Sequence, residues 1–201
     1  IGGVPIDLPG GSHLGDENQP FAIEGDEYDS AFFDKRSKFI HYLPHILILN
    51  NLEFDHGDIF RDLWDVKRSF SHLLRTIPRN GHVLANGDDK NVHSLLPVSW
   101  TNVHTVGTGD DNDLRILDFS EGPGGSEFRL EWRGEDWGRV AWRMTGEFNV
   151  RNAAMALLAA MFALNLERPR SEMIQALEAF SGVKRRQETL AEAGGLLVME
   201  D

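Results

Sequence analysis

The apolar run Ile46-Leu47-Ile48-Leu49 leads straight into Asn50-Asn51-Leu52-Glu53-Phe54-Asp55-His56-Gly57-Asp58. A short aliphatic run of this kind reads as a buried strand. Polar groups crowded after such a strand are expected where open α/β sheets place their ligands, at the carboxyl ends of the strands. A second cluster lies upstream, where Phe21-Ala22-Ile23 runs into Glu24-Gly25-Asp26-Glu27-Tyr28-Asp29. Two acidic strand ends in one domain point to a hard cation, and in such a fold to the phosphates of a nucleotide.

The rest of the chain supports the α/β class. Residues 1–20 are rich in Gly and Pro and read as loop. Residues 21–24 read as a short strand, and residues 29–38 as a short helix with Phe32 and Phe33 packed inward. Leu63, Val66, Phe70, Leu73, Leu74 and Ile77 have helical spacing, and Pro78-Arg79-Asn80-Gly81 ends that helix. Residues 82–86 and 103–106 read as further strands. From Asp113 to Thr145 apolar positions alternate around Gly-rich turns, which predicts a small antiparallel sheet. An Ala-rich helix over 149–164 follows, with Asn149 as its cap. Next come a helix over 171–180 capped by Ser171 and a last buried strand at 196–199. The expected fold is a mainly parallel sheet flanked by helices, with a small antiparallel sheet inserted.

Composition narrows the function. The 201 residues suit one domain, and 41% hydrophobic content supports a real core. A net charge of −12 argues against nucleic acid as the main partner, since binding its backbone needs a basic surface. Cysteine is absent, which excludes disulfides, thiolate metal sites and a thiol nucleophile. No apolar run approaches the ~18 residues of a membrane span. With no signal peptide visible, the expected location is cytoplasmic, with no membrane partner. The chain opens at Ile1 without Met and ends just after a strand-like run, so a piece of a longer protein is expected.

Each polar cluster also has a plainer reading. Glu24 with Asp26, Glu27 and Asp29 can be a solvated acidic face. His56 between Asp55 and Asp58 can be structural, although a neutral imidazole beside carboxylates is also a metal ligand. Asn149 and Asn152 share one face of a helical first turn, so they can cap it or hold a base or ribose. Lys184-Arg185-Arg186 can be solvated or a phosphate clamp. Neither Gly-x-Ser-x-Gly nor Gly-x-x-x-x-Gly-Lys-Ser/Thr occurs, so a phosphate loop, if there is one, lies upstream of Ile1.

Taken in order, these motifs resemble the Mur ligase family of ATP-dependent amide-forming enzymes. Residues 23–29 are similar to its Glu-Ala-Asp-Glu-Ser/Tyr-Asp element, and residues 51–56 to its Asn-Ile-x-x-Asp-His element. Residues 146–152 are similar to Gly-x-His-Asn-x-x-Asn, with Phe148 in place of His. Residues 180–186 are similar to Phe-x-Gly-x-x-Arg-Arg, and Glu200-Asp201 to the start of a hinge. Residues 27–39 and 47–56 resemble the branch that joins UDP-N-acetylmuramate to the murein tripeptide L-alanyl-γ-D-glutamyl-meso-diaminopimelate; the branch using L-alanine is the alternative.

The resemblance implies a P-loop-type central domain spanning residues 1–201, with the phosphate loop and a C-terminal domain outside it. It implies ATP and Mg²⁺ as cofactors. Glu24 and His56 would be metal ligands and, with Arg186, the catalytic residues. Asn149, Asn152, Arg186 and Asp201 would bind the nucleotide. Arg68 aligns with a Lys that is carbamoylated in several relatives, with Lys67 one residue away, so no carbamoylation is expected. Two rivals from other classes are a P-loop switch domain without ligase activity and a carbohydrate-binding module built on the Trp-bearing strands. The first leaves the paired Asn unexplained, and the second leaves the acid and His clusters idle.

Overall fold

The computed structural model describes residues 3–8, 10–96, 98–184 and 188–200. In chain order it contains β1 (Asp29–Ala31), β2 (Asp34–Ser37), a 3₁₀ turn (Lys38–His41), β3 (Ile46–Leu49), α1 (Leu63–Leu74), β4 (His82–Asn86) and α2 (Lys90–His93). Then follow β5 (Asn102–Gly107), β6 (Leu114–Gly122), β7 (Gly125–Trp132), β8 (Glu135–Trp142), α3 (Glu147–Ala163), α4 (Ser171–Ala179), β9 (Glu188–Ala193) and β10 (Leu196–Glu200).

One six-stranded sheet in the order β3-β4-β5-β6-β7-β8 organises the molecule. Its first strands are parallel and β6 to β8 form an antiparallel meander. The two halves are continuous, because β6 pairs in parallel with β5. A parallel crossover normally needs a dozen residues or more. Here a short loop suffices because only Val106 and Gly107 overlap Leu114 and Arg115, and β6 then runs on past the end of β5.

The pleat sorts β4 between two cores. Leu84 points to the side of α3, with Val106, Phe128, Leu130, Ala154 and Leu158. Val83 and Ala85 point to the side of α1, with Leu49, Val66, Leu74 and Ile77. Alternate residues face opposite sides, so a strand covered on both faces must be apolar throughout. That is the physical origin of the aliphatic runs. Helix α1 starts where Asp62 accepts the Asp65 amide at 2.9 Å, a side-chain N-cap.

Several expectations fail. Residues 21–24 form no strand, and Phe21 and Ile23 are exposed. Their apolar run is short and nothing pairs with it in a sheet. Residues 29–38 form a hairpin rather than a helix, with Ala31 opposite Asp34. Lys35–Asp29 and Arg36–Asp34 ion pairs hold it. Phe32 and Phe33 then become the two turn residues, 94% and 90% exposed, rather than core. Replacing either by Ser is expected to change unfolding free energy by less than about 0.5 kcal/mol in urea titration, since neither side chain loses burial.

The strand at 196–199 exists, but it is exposed rather than buried. It pairs antiparallel with β9 through Gly194-Gly195, both at positive φ, as a tight hairpin turn requires. This hairpin stands apart from the large sheet, so neither of its faces is covered as β4 is. The caps also differ. Gly146, not Asn149, caps α3, and Arg170, not Ser171, caps α4.

Candidate functional site

β3, β4 and β5 are parallel, so their carboxyl ends lie at one edge of the sheet. The residues after β3 build a cavity of about 330 Å³ lined by Glu27, Asn51, Leu52, Glu53, Phe54, Asp55, His56, Phe60, Val66 and Phe70. Half of that wall comes from the polar cluster after the strand. The floor comes from α1, whose Val66 belongs to the core beneath.

His56 lies on the wall of this cavity. Its Nδ1 lies 3.2 Å from the Tyr28 hydroxyl, and the two rings meet edge-on at 4.8 Å. Its Nε2 faces Glu27 at 3.8 Å. Nδ1 is thus held by a neighbour, while Nε2 and the Glu27 carboxylate face each other across a gap of 3.8 Å. The backbone at His56 is left-handed, with φ 54°. Leu43, Asp118, Arg133 and Asn165 share that property, so Tyr28 and Glu27 mark His56 out, not the backbone.

Of the acids in residues 24–29, Glu27 lines the cavity, whereas Glu24 is exposed on the preceding segment. Asp26 is engaged by Lys38 at 2.9 Å and feels the His56 charge as well. Hydrogen bonds from Lys38 and the Tyr28 amide hold its carboxyl below the usual carboxylate range. Among the described residues no group of three His, Asp or Glu side chains converges as a metal cage. An ion held by two protein groups and otherwise by phosphate oxygens and water, the usual habit of Mg²⁺, fits His56 and Glu27 better than a full protein cage. Arg68 pairs with Asp65 at 3.4 Å and stacks on Trp64 at 5.2 Å, so its charge is engaged on α1.

A second, larger cavity of about 1340 Å³ opens between α3, α4 and residues 180–183, and Asn149 and Asn152 lie on its wall. Asn149 Nδ2 donates to the Thr145 carbonyl at 2.8 Å. Asn50 Nδ2 donates to Asn152 Oδ1. The two cavities therefore lie on either side of the end of β3, with Asn51 lining one and Asn50 bonded to the wall of the other.

Arg151, between the two Asn, bridges Glu147 and Asp88. Burial raises the Asp88 carboxyl. Donors from Thr108, Asn112 and Gly109 outweigh that and hold it below its ordinary value. A Cβ on Gly107 would lie 2.4 Å from this carboxylate, which is why the strand must end in glycine there. The first turn of α3 is thus pinned to the loops after β3, β4 and β5.

Sequence reasoning missed Tyr28, Glu27, Asn50, Asp88 and Arg151 as parts of the site. Tyr28, Glu27, Asn50 and Arg151 sit within or beside the motifs, and that adjacency was the available signal; Asp88, in the turn after β4, lies outside them. Arg186 and Asp201 lie outside the described residues.

The family model for the Mur ligase middle domain matches residues 13–160. The chain belongs to the Mur ligase family. Over its whole length it is 40% identical to the UDP-N-acetylmuramate–L-alanyl-gamma-D-glutamyl-meso-2,6-diaminoheptandioate ligase of Escherichia coli, and it spans 42% of that protein. The crystal structure of the corresponding ligase from Neisseria meningitides superposes with a TM-score of 0.78 at 36% identity, covering 92% of this chain and 57% of that one. A murein peptide ligase from Psychrobacter arcticus superposes with a TM-score of 0.75 at 34% identity, covering all of this chain and 44% of that one. The Mur ligase middle domain thus accounts for the mixed sheet, the Asp-His element after β3 and the Asn pair opening α3. Among the described residues no helix is long and apolar enough to cross a membrane.

Proposed function

We propose that this chain is the ATP-binding middle domain of a cytoplasmic ligase that joins UDP-N-acetylmuramate to L-alanyl-γ-D-glutamyl-meso-diaminopimelate. The observation that carries this reading is the placement of two cavities at one sheet edge, one acidic with His56 and one lined by Asn149 and Asn152. The 40% identity to the Escherichia coli ligase supports the tripeptide over L-alanine, since the L-alanine ligases of Solibacter usitatus and Clostridium acetobutylicum are 34% and 28% identical. The phosphate loop and the domain that presents the peptide would lie outside these residues.

In this reading ATP phosphorylates the muramate carboxylate to an acyl phosphate. The peptide amine attacks the acyl carbon, the tetrahedral intermediate expels phosphate, and an amide remains. No protein nucleophile is required. His56 would hold Mg²⁺ together with one carboxylate of the acidic run, Glu24 by the family pattern or Glu27 by its 3.8 Å approach. Bound there, Mg²⁺ would supply Lewis-acid stabilisation of charge growing on phosphoryl oxygens. Tyr28 keeps the His56 ring oriented. Asn149 and Asn152 grip the adenine end, while Arg186 and Asp201 are assigned to phosphate and ribose.

The test is phosphate release by the intact ligase with ATP, Mg²⁺ and UDP-N-acetylmuramate. Release is expected on adding the tripeptide and not on adding L-alanine. Equal or greater release with L-alanine would make this the L-alanine ligase instead. No amine-dependent release at all would remove the ligase reading.

A further inference from the structure

Asn149 and Asn152 are amides, and an amide can offer a ligand either its oxygen or its nitrogen. Each is oriented here by a bond to the protein. Asn149 spends Nδ2 on the Thr145 carbonyl, leaving Oδ1 as an acceptor. Asn152 spends Oδ1 on Asn50 Nδ2, leaving its own Nδ2 as a donor. Both line the larger cavity. Two positions three residues apart near the start of α3 therefore present one fixed acceptor and one fixed donor.

We propose that Asn50 is a positioning residue that sets base specificity: by orienting the Asn152 amide, it makes this wall select adenine over 6-oxopurines. The inference rests on the nucleotide reading above. Adenine carries an amino donor at position 6 next to ring-nitrogen acceptors, which matches Asn149 Oδ1 and Asn152 Nδ2. Hypoxanthine in the same pose sets its 6-oxo group against Asn149 Oδ1, acceptor against acceptor. An unpaired or opposed polar group in such a contact is discriminated against strongly.

Asn50 is well placed for this role. It is the first residue after β3, so the sheet fixes its backbone. The first turn of α3 is also held without it, by the Arg151 bridge to Asp88 and Glu147 and by Val150, which is fully buried. Changing Asn50 therefore removes the orienting bond without detaching the helix.

The experiment titrates the chain with ADP and with inosine diphosphate into the millimolar range, by calorimetry or by amide chemical shifts. The two probes carry the same phosphates, so their affinity ratio isolates the base. The unaltered chain is expected to prefer ADP by about tenfold, the scale of one well-made polar contact. Asn50→Asp offers only acceptors, so Asn152 must turn its Nδ2 toward position 50 and show Oδ1 to the base. The preference is then expected to fall to within about threefold. Asn152→Asp, which keeps the bond to Asn50 but shows an acceptor, should do the same.

A second pair of variants covers any loss of folding by Asn50→Asp. Asn50→Leu should weaken ADP about threefold alone and not at all in an Asn152→Leu background, because Asn50 acts through Asn152. If Asn152→Asp loses the preference while Asn50→Asp keeps it, or if the Leu changes simply add, the role of Asn50 is refuted and the nucleotide reading stands. If the unaltered chain binds both probes equally, base selection is refuted and the nucleotide reading stands; if the intact ligase binds neither, both fall.

Discussion

Replacing His56 by Ala in the intact ligase is expected to lower kcat by roughly 10²-fold, the scale for losing one electrostatic stabiliser of the transition state. The imidazole lies on the cavity wall with Nε2 facing Glu27 and Nδ1 near the Tyr28 hydroxyl, so its loss removes a side chain of the proposed metal site rather than of the core. The left-handed backbone allows a sharper form of the test. With φ at 54°, a side chain here is strained, and glycine is not. His56→Gly is therefore expected to lose the same activity while gaining stability, on the order of 1 kcal/mol. Steady-state kinetics at saturating ATP, muramate and peptide, with thermal melts beside them, check both. Near-normal kcat with a lower melting temperature would make His56 a structural residue.

Acid is expected to destabilise the domain from the opposite end of the sheet. His82 opens β4, His104 lies in β5, and their Nδ1 and Nε2 atoms are 3.0 Å apart. Both rings stack on Phe162 of α3, and Arg133 approaches the other nitrogen of His104 at 3.2 Å. Burial first, then the neighbouring His82 and the Arg133 charge, push His104 down to about 4, against a partial pull upward from Asp113. Burial lowers His82 as well.

The unfolded chain takes up protons near the ordinary value of 6.5 while the folded chain does not, so stability rises with pH across that interval. It is complete above about pH 7 and falls progressively as pH drops from 6.5 toward 4, by on the order of 3 kcal/mol from His104. Carboxylates titrate at the lower end too, so the comparison that isolates the imidazole is with His104→Phe, which keeps an aromatic ring against Phe162. Urea unfolding at pH 7.5, 5.5 and 4.5 should give a flatter profile for that variant. Parallel profiles would show that His104 does not carry the effect.

Where local pattern and tertiary environment agree, the elements were legible in advance. His82–Asn86 is apolar because both faces of the sheet are covered there, and the helix through Val66, Phe70 and Leu74 because it supplies that cover; on edge strand β3 only Leu49 is buried and Ile48 is exposed. The same logic misled at Phe21 and Ile23, at Phe32-Phe33 and at Leu196–Met199. Hydrophobic character says what a segment would gain from cover, not whether cover reaches it. A hairpin tip and a detached two-stranded ribbon leave those side chains in solvent.

The site divides in the same way. Sequence determined its chemistry: an Asp-His element after a buried strand, an acidic run before it and two amides one turn apart on a helix. Tertiary structure decided which atoms meet. Glu27 faces His56 at 3.8 Å from a segment that forms no strand, a meeting that no periodicity along the chain encodes. Asn50 meets Asn152 across 102 positions of chain, because the parallel strands bring the end of β3 and the start of α3 to one edge of the sheet. Spacing along a sequence encodes neighbours on one helix or strand. The direction of a side chain, and a bond between elements far apart in the chain, follow only from how the sheet and helices pack.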